Sequence, residues 1–161
     1  MNYQIEDYNE LNDLLKNLNL AGTEQFCFLP ENINHIKDEG EFIYPDTTTE
    51  LRKLLEKENT EIKYLMEKKP LLRTRKSADW FGPTILFGST LILQNPHLID
   101  ITISIISSYL YDFFKGTAGG ETVKFDLVIG QKNKKGYKKI SYNGSIKGVE
   151  ELKEIIKQIE Q

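Results

Sequence analysis

Arg73, Arg75 and Lys76 lie just ahead of Trp80 in the stretch LLRTRKSADW. Cations beside an indole suit an anion site with a stacking surface: the charges hold a phosphate and the ring takes a planar base. If Leu71 to Lys76 is extended, Arg73 and Arg75 share one face, because strand side chains alternate. The same residues also fit a plainer role, a charged edge strand leading into a core tryptophan.

Other groups carry less. Lys132, Lys134, Lys135, Lys138 and Lys139 crowd one turn and the strand after it. Such a cluster can meet nucleic acid or anionic lipid. Without arginine or an aromatic at the tip, solvated lysines guarding an exposed hairpin are the simpler reading. Cys27 sits between Phe26 and Phe28, and the only histidines are His35 and His97. A nucleophilic thiol needs a base, and neither histidine lies in a recognisable motif, so Cys27 reads as core. No histidine spacing supports a metal site. Asp79 and Asp112 are acids without partners in sequence, and Asp79 reads as a turn cap. Gly116 to Gly120 is glycine-rich, but it follows a helix and precedes a strand. A phosphate loop has the opposite order and ends in Lys-Ser/Thr. No catalytic residue, metal or cofactor is expected.

The chain has 161 residues, 39% hydrophobic and 28% charged, with a net charge of −3. That fits one domain with a real core. The charge is uneven: residues 1–69 hold 8 basic and 15 acidic side chains, residues 70–161 hold 13 and 9. The asymmetry suggests a subdivision into an acidic first part, 1–69, and a basic second part, 70–161, with its changeover at KKPLLRTRKS. One cysteine, and an acidic start with no basic and apolar leader pattern, point to a cytoplasmic setting. The abundance of Lys, Asn and Ile points to an AT-rich genome, bacterial or phage.

Ile5, Tyr8, Leu11, Leu15 and Leu18 recur at helical spacing and predict a helix over 3–19. Short strands are expected at 24–30 and 41–45, a helix from Thr47 with Glu50 closing a capping box, and a strand over 60–70. Val123, Phe125, Leu127 and Ile129 alternate, QKNKKG turns, and Tyr137, Ile140 and Tyr142 return: a β-hairpin. A helix from about Gly148 completes the chain, with Val149, Leu152, Ile155, Ile156 and Ile159 as its stripe.

Between Lys76 and Lys115 there is no lysine or arginine. A membrane helix needs about 20 apolar residues. Trp80 to Leu93 is shorter, and Gln94, Asn95 and Pro96 break the run. The run is therefore read as two apolar helices, 80–93 and 96–115, the second ending at Gly116 and buried nearly all round in the domain or in an oligomer.

The expected fold is α+β: a small antiparallel or mixed sheet with packed helices, ending in a hairpin and a helix. The expected function is non-catalytic, an interaction or accessory protein working through an apolar helical surface, as an oligomer or in a complex, with Ile105, Tyr109 and Phe113 at the interface. One alternative is a small-molecule or nucleotide binder using Arg73, Arg75, Lys76 and Trp80. Another is a membrane-acting effector that inserts residues 80–115.

Overall fold

The computed structural model describes residues 2–22, 24–36, 41–66, 69–117, 121–132 and 136–160. Tyr3–Asp7 (β1) is an outer strand, and only Glu10–Asn17 (α1) of the expected first helix is helical. Ile5, Tyr8 and Leu11 mimic a helical period across a strand, a turn and a helix. Antiparallel pairing with residues 138–142 decides the local structure at β1. Leu11 and Leu15, where the period is real, are buried.

Phe26–Leu29 (β2), Ile43–Pro45 (β3), Thr47–Lys57 (α2), Lys63–Tyr64 (β4) and Leu71–Arg73 (β5) follow. The capping box does not form. Asp46 holds the N-cap position without a side-chain bond, and Thr47 Oγ1 donates instead to the Phe81 carbonyl at 2.6 Å.

The apolar middle holds the largest correction. Trp80–Phe87 (β6) is a strand, not the first of two helices; Ser89–Gln94 (α3) is a short helix, and Leu98–Phe113 (α4) is the long one. Val123–Gly130 (β7), Tyr137–Gly144 (β8) and Ile146–Glu160 (α5) complete the chain, as the expected hairpin and helix. The main sheet has the order β1-β8-β7-β6-β2-β4, and β3 pairs with β5 separately. β6 runs parallel to β7 and antiparallel to β2 at the sheet's centre. Over Ile85–Phe87 the strand is covered on both faces and has no polar alternation, which is why its run resembles a buried helix. Parallel neighbours need a long crossover, and α3 and α4 supply it.

Phe28, Ile85, Phe87, Leu127 and Ile129 point to one side of the sheet and pack with residues of α2, α4 and α5. Cys27, Leu29, Leu86 and Val128 point to the other side, under α1. α4 is not buried all round. Ile99, Ile103, Ile106 and Leu110 face the core, while Ile101, Tyr111 and Phe113 remain exposed. Gly116, with φ +85°, follows α4 and takes the left-handed turn that suits a glycine stop. Among the described residues no helix is long and apolar enough to cross a membrane.

The second side of the sheet is only half covered. α1 has eight residues, about 12 Å of helix. β7 and β8 also have eight each, about 26 Å of strand. α1 therefore cannot cover the full length of these strands, and beyond it the face opens into a groove.

Candidate ligand-binding groove

The open half-face carries the site. Along β7, Val128 faces α1, and Asp126 and Lys124 continue the same face where the helix no longer covers it. Across the sheet the register sets Thr84 and Ser141 beside Asp126, and Phe81 and Asn143 beside Lys124. Phe81 and Thr84 are three residues apart and would face opposite sides of a regular strand. The register shift between them, at Gly82 and Pro83, restores both to the groove. Gly82 lies against the indole: a Cβ there would come 2.2 Å from Trp80 Cζ3.

The wall comes from the first half of the chain. The Glu31 N–H donates to Ile43 O at 2.7 Å, and Asn32 holds Glu41 O and the Ile43 N–H. These bonds fix Glu31 opposite β5. Arg75 pairs with Glu31 at 2.8 Å and Arg73 at 3.5 Å. The Arg75 guanidinium lies 4.8 Å from the centre of the Phe81 ring, and Lys124 Nζ lies 5.0 Å from it. At the α1 end the Tyr8 hydroxyl donates to Asn34 Oδ1 at 2.7 Å. Lys139 Nζ lies 5.2 Å from the Tyr8 ring centre and 3.9 Å from Asp126. The groove encloses about 490 Å³. Four cations, Arg73, Arg75, Lys124 and Lys139, face two lining carboxylates, Glu31 and Asp126, with Glu6 opposite Lys139 on β1.

Burial raises the Asp126 carboxyl, while Lys139 and Ser141 oppose the rise. Burial also pushes the Tyr8 hydroxyl up to about 12, so it stays protonated near neutrality. A carboxyl raised on folding holds its proton more tightly in the folded chain. Folding therefore becomes less favourable as pH climbs from the unfolded carboxylate range through the raised value. Asp126→Asn is expected to remove that loss and to be at least as stable as the parent at neutral pH. The Lys139 pair it gives up is long and partly exposed, and such pairs contribute little. Urea midpoints at about pH 4 and pH 7 check this.

The structure places the residues singled out in sequence unequally. Arg73 and Arg75 line the groove; Lys76 is exposed outside it. Trp80 is not a stacking surface, because it is 2% exposed with its ring edge-on to Tyr109 and Phe125 on the opposite side of the sheet. Phe81, with Tyr8 at the α1 end, supplies the groove's aromatic surface instead. Lys139 lines the groove, Lys132 is exposed, and Lys134 and Lys135 lie outside the described residues. Asp79 caps its turn: its Oδ1 accepts the Thr122 N–H at 2.9 Å. Cys27 is buried, and burial pushes its thiol up to about 12. Ile105 and Tyr109 are half-buried and Phe113 is exposed, all on α4 and away from the groove. Lys124, Asp126 and Tyr8 were not singled out. The signal for the first two was there, as the polar members of an alternating strand.

Among the described residues no group of His, Cys, Asp and Glu is arranged to hold a metal ion. Comparison with protein families, curated proteins and solved structures finds no match for this chain.

Proposed function

We propose that the protein binds a small phosphate-bearing ligand of nucleotide type in this groove. One observation carries the reading: Arg73, Arg75, Lys124 and Lys139 converge, from three separate parts of the chain, around two aromatic rings on a concave face. Arginine forks suit phosphate oxygens. The excess of two positive charges over the lining carboxylates matches a phosphate monoester near neutrality. Asn34, Asn143 and Thr84 offer polar partners for a sugar or base edge. The role is recognition rather than turnover: among the described residues no histidine or cysteine lines the groove, and the one serine on its floor, Ser141, is bonded to Asp126. A cytoplasmic setting, rich in phosphorylated metabolites, suits such a ligand.

Glu31 acts as the internal counterion of Arg75, and a ligand phosphate competes with it for that arginine. Adenosine monophosphate at about 100 times its dissociation constant is expected to stabilise the parent by about 2.7 kcal/mol and raise its melting temperature by several degrees. Arg75→Ala is expected to abolish the rise, and Glu31→Gln to enlarge it. An equal rise in all three proteins would remove the groove from consideration.

A further inference from the structure

The opposite side of the molecule carries a second concavity. α2 lies antiparallel to α4. Glu50, near the start of α2, accepts the Tyr109 hydroxyl at 3.0 Å, while Asn59 and Thr60, past its end, share a cleft with Leu98 and Ile101 at the start of α4. Between the helices lies a groove of about 350 Å³. Leu54, Ile105 and Tyr109 supply its apolar surface. Ser104 and Ser108, about one turn apart, keep the floor low enough for another backbone to approach. Ile101 and Phe113, 45% and 49% exposed, extend the apolar surface along α4. Glu58 stands towards one end and Asp112 towards the other, and among the described residues no cation lines the groove. Lys153, at the edge, is engaged with Ser104 and Glu150.

We propose that this groove docks an amphipathic helix with basic flanks, supplied by a different protein. Its apolar residues, at helical spacing, would enter against Leu54, Ile105 and Tyr109, and its lysines or arginines would meet Glu58 and Asp112. Charge decides between this occupant and a second copy of the chain. A parallel α4 pair sets Asp112 against Asp112, and an antiparallel pair brings Asp112 towards the partner's Glu58 end. Either contact places acid on acid, which costs specificity and affinity.

The test uses a fluorescent leucine–lysine amphipathic peptide of about 18 residues, five helical turns. It is titrated into the full chain beside a leucine–glutamate peptide of the same pattern. The lysine peptide is expected to bind and the glutamate peptide not to. Ile105→Asp is expected to weaken binding by about tenfold or more, although it makes the groove more acidic. The double variant Glu58→Lys, Asp112→Lys is expected to lose it. Circular dichroism and melting temperature check that each variant is folded, and Ser108→Arg, on the exposed floor, replaces any that is not. Lysine-peptide binding that Ile105→Asp or Ser108→Arg leaves intact is charge attraction alone and overturns the proposal. So does absence of binding. A dimer in light scattering that Ser108→Arg dissolves would assign the face to a second copy and overturn it as well.

Discussion

Trp80→Ala is expected to lower stability by about 3–5 kcal/mol, whereas Phe81→Ala is expected to cost about 1 kcal/mol and remove ligand binding. The two residues are adjacent, aromatic and on one strand, yet they face opposite sides of the sheet. Trp80 is 2% exposed, with its ring against Tyr109, Phe125 and the flat back of Gly82. Removing the indole empties the junction of β6, β7 and α4, and a backbone pinned there to β7 has little freedom to collapse into the space. The melting temperature should fall on the order of 10 °C for a chain of this length. Phe81 is only partly covered, by Arg75 and Lys124, so its loss leaves no comparable cavity. What it removes is the surface that holds both cations over the groove. Thermal melts of the two variants, with and without adenosine monophosphate, read both effects. Equal destabilisation would mean that the two rings do not lie on opposite faces of the sheet.

Lys124→Glu is expected to weaken binding of the same ligand by about 100-fold or more, equivalent to about 2.7 kcal/mol, with little change in stability. Lys124 projects from the centre of the groove floor and has no carboxylate within salt-bridge distance among the described residues; its close neighbour is the Phe81 ring at 5.0 Å. Reversal changes the charge excess around the ligand from two to none and sets a carboxylate where a phosphate would sit. Because the groove is open, screening matters: parent affinity should fall as salt rises, and the gap between parent and variant should narrow with it. Calorimetry at low and high salt reads both. The reversal costs the fold little, since the side chain faces solvent while its neighbours Val123 and Phe125 face the core.

The same geometry explains what was legible from the residues alone. The β7–β8 hairpin and α5 stood out because one face of each is wet, and alternation or helical spacing then shows directly. β6 did not, because its second half, Ile85–Phe87, is covered on both faces and covering erases the pattern. β1 was absorbed into a helix because Ile5 and Tyr8 happen to precede Leu11 at helical intervals; what makes it a strand is β8, more than 130 residues later. Thr47 offered a cap, but the Phe81 carbonyl, 34 residues away, takes its hydroxyl. The basic pair Arg73 and Arg75 could be found locally, since two alternating arginines beside an aromatic are a local signal. Which aromatic they meet was not local: the register shift turns Phe81 to the groove and leaves Trp80 in the core. Lys139 and Tyr8 belong to the site only because α1 stops short and the sheet order brings β8 beside β7.

The most direct test of the groove is an amide ¹H–¹⁵N spectrum of the full chain titrated with adenosine monophosphate. Shifts confined to Phe81–Thr84, Lys124–Asp126, Lys139–Asn143, Arg73–Arg75 and the Glu31–Asn34 turn are the expected result. Shifts gathered instead around the cleft of Phe26, Leu91 and His97, or none at millimolar ligand, would contradict it.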